Sequence, residues 1–228
     1  MSLDLEISKA AKQIYTDGYD MSIGEVVSLY KEGELYINPA FQRLFRWETS
    51  QKSRFIESLL MGIPIPPIFV FQTNTGVWEL IDGLQRISTI LEFMGILKKQ
   101  NNELYPPSTM EATRYLPSLE GKVWDAESKK SIGKVQQIAI RRVRIRVEIL
   151  KKESDIDSKY ELFQRLNTGG SPLSKQEIRN AIMVMLNGEF FDFVHMLSEY
   201  ENYKKSLNLS ENQIIKQGHM ENVLRLLS

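Results

Sequence analysis

The chain has 228 residues, 42% of them hydrophobic, enough to bury a sizeable core in one large domain or two small ones. Its 29 basic and 29 acidic side chains cancel, so no global field draws it to nucleic acid or an anionic membrane, and any such contact must come from a local basic patch. It contains no cysteine, which excludes disulfides, thiolate metal sites and a cysteine nucleophile, and no apolar run nears the ~20 residues that span a bilayer.

Residues 1–20 are polar and mixed in charge, unlike a secretory signal, so a cytoplasmic protein with no membrane contact is expected. Ser22 with Glu25 three residues later forms a capping box, and Met21 and Val26 are placed as a hydrophobic staple. Ile23, Val26, Val27 and Tyr30 make the stripe of a first helix, which Gly33 can end in the left-handed conformation. An extended piece, 35–37, leads to an irregular loop rich in rings and guanidiniums: Asn38-Pro39-Ala40-Phe41-Gln42-Arg43-Leu44-Phe45-Arg46-Trp47.

A second helix is predicted over 51–61, with Phe55, Ile56, Leu59 and Leu60 on one face and Gly62 as the stop. Ile63-Pro64-Ile65-Pro66-Pro67 cannot be helical, because each proline pushes its predecessor to extended geometry. Strands over 68–72 and 77–81 form a hairpin about Thr73-Asn74-Thr75-Gly76. Beyond Asp82-Gly83 a helix is predicted to about Leu97, burying Leu84, Ile87, Ile90, Leu91 and Met94. Residues 98–130 read as loops with short helices. From Arg142 to Leu150 a strand alternates Val143, Ile145, Val147 and Ile149 with Arg142, Arg144, Arg146 and Glu148. The remainder reads as helical, with a second capping box at Ser174 and Glu177. The pattern predicts an α+β fold: a small mixed β-sheet with packed helices over residues 20–150, then a helical half over 151–228.

Chemistry gathers at Ile81-Asp82-Gly83-Leu84-Gln85-Arg86, where a strand turns through glycine into a helix. Free N–H groups and the positive end of the dipole meet at such a junction. Gly83 lets a ligand approach the backbone, Arg86 offers a bidentate donor for phosphate, Gln85 can hold an oxygen or a base edge, and Asp82 can hold a metal ion or orient water. The plainer alternative is an N-cap at Asp82, a turn residue at Gly83 and a carboxylate partner for Arg86. Gln42, Arg43 and Trp47 suit a ligand with phosphates and a flat base, unless the rings only anchor the loop. Asn167-Thr168-Gly169-Gly170 is a second candidate anion cradle, or an ordinary turn needing positive φ. Arg142, Arg144 and Arg146 share a strand face and can contact nucleic acid, or form a solvated, salt-bridged face. His195 and His219 form no metal motif, and the chain has no Walker-type loop, H-E-x-x-H helix or G-x-S-x-G elbow.

Five pieces in order carry a family resemblance: Phe41-Gln42-Arg43 with Trp47; Ile56-Glu57-Ser58-Leu59-Leu60 with Gly62-Ile63-Pro64-Ile65-Pro66-Pro67; Ile81-Asp82-Gly83-Leu84-Gln85-Arg86; Leu162-Phe163-Gln164-Arg165-Leu166-Asn167-Thr168-Gly169-Gly170; and Leu173-Ser174-Lys175-Gln176-Glu177-Ile178-Arg179-Asn180-Ala181. Across residues 20–228 the chain resembles the N-terminal domain family of GmrSD-type restriction endonucleases, within the ParB/sulfiredoxin-like superfamily. Leu84 stands where many members have a glutamine, while Asp82, Gly83, Gln85 and Arg86 match.

The resemblance implies a ParB/sulfiredoxin-like core and Mg2+-dependent binding and hydrolysis of a nucleoside triphosphate. Asp82, Gln85 and Arg86 would be catalytic, with Asp82 on the metal. Gln42, Arg43, Trp47, Gly83 and Asn167 to Gly170 would line the nucleotide site; haem, flavin and zinc are not expected. It also implies defence against foreign or modified DNA, reached through a complex with an HNH-type nuclease domain or subunit. No HNH-like residues are present here, so the chain reads as a fragment or as the non-cutting subunit. A ParB-like DNA-binding or nuclease module that needs no nucleotide, and a non-catalytic scaffold for a nuclease partner, are the two alternatives.

Overall fold

A computed structural model describes residues 16–37, 47–99, 101–151, 179–180, 183, 187–210, 213 and 218–227. The chain divides into two compact units, Met1–Lys159 and Tyr160–Ser228. The first is α+β and contains a five-stranded mixed sheet, in accord with the predicted fold class.

In chain order the first unit holds β1 (Thr16–Ser22), α1 (Ile23–Glu32), β2 (Leu35–Tyr36), α2 (Thr49–Leu60), β3 (Ile68–Gln72), β4 (Trp78–Asp82) and α3 (Leu84–Phe93). A 3-10 turn (Pro117–Leu119), α4 (Lys134–Arg142) and β5 (Arg144–Leu150) follow. The capping box at the start of α1 is formed. Ser22 Oγ accepts the Glu25 N–H at 3.2 Å, and Glu25 Oε2 accepts the Ser22 N–H at 2.6 Å. Gly33, at φ 80°, closes the same helix in the left-handed region, which a residue with a Cβ enters only at a cost.

Strand order across the sheet is β1-β5-β3-β4-β2. The β3–β4 hairpin and the β1–β5 pair are antiparallel, while β3–β5 and β2–β4 are parallel. The register puts Ile68 beside Val147, and Val70 beside both Ile149 and Leu80, so one sheet face is continuously aliphatic. That face is buried in one core with Ile23 and Val26 of α1, Phe55, Ile56 and Leu59 of α2, and Ile87, Ile90 and Leu91 of α3. The opposite face carries the alternate residues, among them Asp20, Phe69, Phe71, Arg146 and Glu148.

Two expectations change, and one strand is new. The strand predicted from Arg142 begins at Arg144, and Arg142 is the last residue of α4, a helix that the sequence pattern hid. Only Gln137 and Ile140 of α4 are buried. The segment before Ser22 contributes edge strand β1, which pairs with β5 from Thr16 to Ser22. The helix predicted to reach Leu97 ends at Phe93, with Met94 as its C-cap and Gly95 beyond it at φ 71°.

In the second unit the described helices are α5 (Gly188–Ser198), α6 (Glu201–Ser206) and α7 (Gly218–Leu227). Phe191 and Val194 of α5 and Met220 and Val223 of α7 are buried. The Tyr203 hydroxyl donates to the His219 carbonyl at 3.0 Å, tying α6 to α7. His195 lies in the last turn of α5 beside the Phe191 ring, an ordinary helix position. No helix among the described residues is long and apolar enough to cross a membrane.

Candidate functional site

The junction between β4 and α3 is built by a break in the sheet. β4 pairs regularly with β3 at Trp78, Glu79 and Leu80, then shifts register between Phe69 and Val70, so Asp82 stands opposite Phe69. A bulge of this kind re-aims the residues beyond it. By register, Asp82 falls with Phe69 and Glu148 on the sheet face away from the helical core.

Gly83 is the N-cap of α3, at φ 98° and ψ 12°, and makes no side-chain cap bond. A Cβ there would come within 2.5 Å of Ile68 Cγ2, so this position needs glycine for its backbone angle and for packing against β3. The cap is therefore Gly83 and not Asp82. The Asp82 side chain bonds forward instead: Arg86 Nη2 donates to Asp82 Oδ2 at 2.7 Å, one turn into the helix. Both side chains are largely enclosed, at 13% exposure for Arg86 and 27% for Asp82, so solvent screens the pair less than a surface one. The sequence left open whether Arg86 meets a carboxylate; the carboxylate is Asp82.

Gln85 reaches the other way. Its Oε1 accepts the Trp47 N–H at 3.2 Å, joining the start of α3 to the residue that precedes the α2 N-cap. The Trp47 ring meets Phe55 of α2 edge-on, with centroids 5.4 Å apart, and packs against the core. Trp47 is thus one of the aromatics that anchor the loop. Thr89 Oγ1 donates to the Gln85 carbonyl at 2.7 Å inside α3, and Lys52 of α2 pairs with Glu92 of α3 at 2.6 Å. The two helices that flank the junction are held together by polar bonds as well as by the core.

The structure therefore brings together Asp82, Gly83, Gln85, Arg86 and Trp47. Gln42 and Arg43, and Asn167, Thr168, Gly169 and Gly170, lie outside the described residues, as does the capping box expected at Ser174 and Glu177. Arg142, Arg144 and Arg146 do not form one ladder. Arg142 ends α4, whereas Arg144 and Arg146 lie on the exposed face of β5. Arg146 is paired with Glu148 at 2.9 Å and Asp20 at 3.7 Å, and the Glu148 bond pushes its pKa up.

One residue matters more than its motif suggested. Glu57, 7% exposed, accepts the Thr113 hydroxyl at 2.5 Å and the N–H groups of Tyr115 and Leu116 at 2.9 and 3.0 Å. The Thr113 bond, helped by the two backbone donors, holds its carboxyl below the usual range against the opposing effect of burial. No sequence-local signal marks this role, because every partner is 56 or more residues away.

Among the described residues no group of three or more His, Cys, Asp or Glu side chains is gathered for a metal ion. Asp82 supplies a single carboxylate. That suits Mg2+ arriving with a triphosphate, since Mg2+ binds through one or two carboxylates plus phosphate oxygens and water.

An α+β domain with a mixed sheet and a strand–Asp-Gly–helix junction is the class that fold and site define. Within it, the chain belongs to the family described as GmrSD restriction endonuclease, N-terminal domain, whose model matches residues 23–184. A comparison with curated proteins finds no match. A solved structure of a Pnob8-like ParB-N domain is similar at 12% identity and a TM-score of 0.35, covering 92% of this chain and 62% of that one. This chain thus spans less than two thirds of that one.

Proposed function

We propose that this chain is a nucleoside triphosphate-binding and -hydrolysing regulatory domain of a DNA-targeting restriction system, working with an HNH-type nuclease domain or subunit. The observation that supports it best is the Asp82–Arg86 pair, set one turn apart at the start of α3. A helix begins with N–H groups that lack intrahelical acceptors and with the positive end of its dipole, so it favours phosphate. Arg86 adds a guanidinium in that first turn. Its bond to Asp82 engages part of a five-donor fork, and a phosphate can take the other donors or displace the carboxylate.

Each side chain then has a separate task. Arg86 binds phosphate oxygens and stabilises the charge that builds up as the phosphoanhydride breaks. Asp82, released from Arg86, orients the attacking water or ligates the divalent ion. Mg2+, when bound, neutralises phosphate charge. Gln85 fixes Trp47, and with it the entry to α2. Gln42 and Arg43 would complete the nucleotide site. Family membership supports the link to restriction of DNA.

Calorimetry with each nucleoside triphosphate and Mg2+ tests the binding step on wild type and Arg86→Ala. Equal affinity in both removes Arg86 from the site. A turnover screen with Asp82→Ala as control tests hydrolysis, and equal phosphate release by both proteins removes the catalytic role.

A further inference from the structure

The chain is neutral as a whole, yet its charge is segregated. Residues 129–146 carry Lys129, Lys130, Lys134, Arg141, Arg142, Arg144 and Arg146 and no acidic residue. In the structure they form the approach to α4, α4 itself and the start of β5. Lys129, Lys130, Lys134, Arg141, Arg142 and Arg144 are all exposed. Arg146 is neutralised by Glu148 and Asp20, and Arg141 lies over the Trp124 ring, its guanidinium carbon 5.5 Å from the centroid.

Among the described residues, no carboxylate pairs with Arg142 or Arg144. The Glu25 carboxylate, whose pKa Arg144 helps to lower, is held in the Ser22 capping box. The negative end of the α4 dipole accounts for cations at Arg141 and Arg142. It does not account for Arg144, Lys129 and Lys130, which lie outside the helix. Exposed cations thus precede and follow α4 in the chain.

We infer that α4 and the residues flanking it, with Arg142 and Arg144 as the principal cations, form a contact surface for the phosphate backbone of duplex DNA. Such contacts position a protein on DNA without reading sequence and need guanidiniums or ammoniums that no carboxylate has claimed. Arg146 is excluded from the surface by its own ion pairs. The choice of DNA rests on the proposed place in a restriction system; the surface itself owes nothing to the Asp82–Arg86 junction.

The test is fluorescence anisotropy of the full chain with a labelled mixed-sequence duplex, over a series of salt concentrations. Each phosphate contact contributes a slope of about −0.9 in log K against log salt. The double variant Arg142→Gln/Arg144→Gln is expected to flatten the slope by roughly two units, while Arg146→Gln keeps the wild-type slope. Calorimetry with nucleotide on the same variants is expected to match wild type. Absence of salt-sensitive binding by the wild type, or an unchanged slope in the double variant, overturns the inference. Loss of nucleotide binding by the wild type, with the DNA slope intact, would sink the nucleotide site and leave this surface standing.

Discussion

Arg86 Nη2 reaches back to Asp82 Oδ2 at 2.7 Å, past the left-handed Gly83 that starts α3. In the proposed nucleotide site the carboxylate would occupy part of the fork that a phosphate uses, and the two would compete for Arg86. Asp82→Asn should therefore tighten the binding of Mg2+-free triphosphate severalfold, while it removes Mg2+-dependent turnover. Titration with and without Mg2+ checks both. Weaker binding in both conditions would show that Asp82 orders Arg86 for phosphate and does not compete with it.

Gly83 answers to two constraints at once, and they can be separated. Its φ of 98° penalises any Cβ, and that Cβ would also fall 2.5 Å from Ile68 Cγ2. Gly83→Ala is expected to cost about 2–4 kcal/mol, from the left-handed conformation and from overpacking together. Ile68→Ala removes Cγ2, the nearest clashing carbon, but keeps Cβ at 3.0 Å and opens a cavity. Denaturant unfolding of both singles and the double should then show a double variant less destabilised than the sum. Strict additivity would mean that contact with Ile68 Cγ2 contributes nothing to the cost.

What the sequence revealed about this region follows the range of the interactions. The Ser22–Glu25 box, the Gly33 stop and the turn from Thr73 to Gly76 are fixed by residues within a few positions, and each is found as expected. β1 was not legible, because Thr16 to Ser22 is polar and is a strand only through its pairing with β5. α4 is hard to read because only Val135, Ile138 and Ile140 of it are large and apolar, and Gly133 gives it no side-chain cap. The alternation that starts at Val143 then ran backwards into Arg142 without a visible break. At the candidate site, the Asp-Gly-x-Gln-Arg run could be read directly, but its internal bonding could not. Arg86 takes Asp82, a partner only four residues back that the run allows but does not single out, and that Gln85 holds Trp47 from 38 residues away is decided by tertiary placement.

The Gln85–Trp47 bond predicts a split between two substitutions. Its acceptor is a side-chain oxygen, which glutamate retains and methionine lacks, while the donor is a backbone N–H. Gln85→Met should cost about 1 kcal/mol of stability and loosen the start of α2, and Gln85→Glu should stay near wild type. Chemical denaturation measures the first effect, and amide exchange at Trp47 the second. Equal losses in both variants would point to the amide nitrogen of Gln85 as the group that matters.

Glu57 predicts a pH dependence. Its folded pKa lies below the ordinary carboxylate value, chiefly through the Thr113 hydroxyl. The group therefore contributes stability that is fully present above the unfolded pKa and is lost as pH falls through the folded one. Glu57→Gln keeps one acceptor oxygen but cannot ionise, so it should melt lower than wild type at neutral pH. The gap should close as the medium is acidified below the usual carboxylate range. Glu57→Ala strands the Tyr115 and Leu116 N–H groups as well, and should cost about 2–3 kcal/mol at neutral pH. Thermal melts of the three proteins across that range decide it. A gap between wild type and Glu57→Gln that stays constant with pH would mean that the charge of Glu57 adds nothing, and that its oxygens act as neutral acceptors for the 113–116 segment.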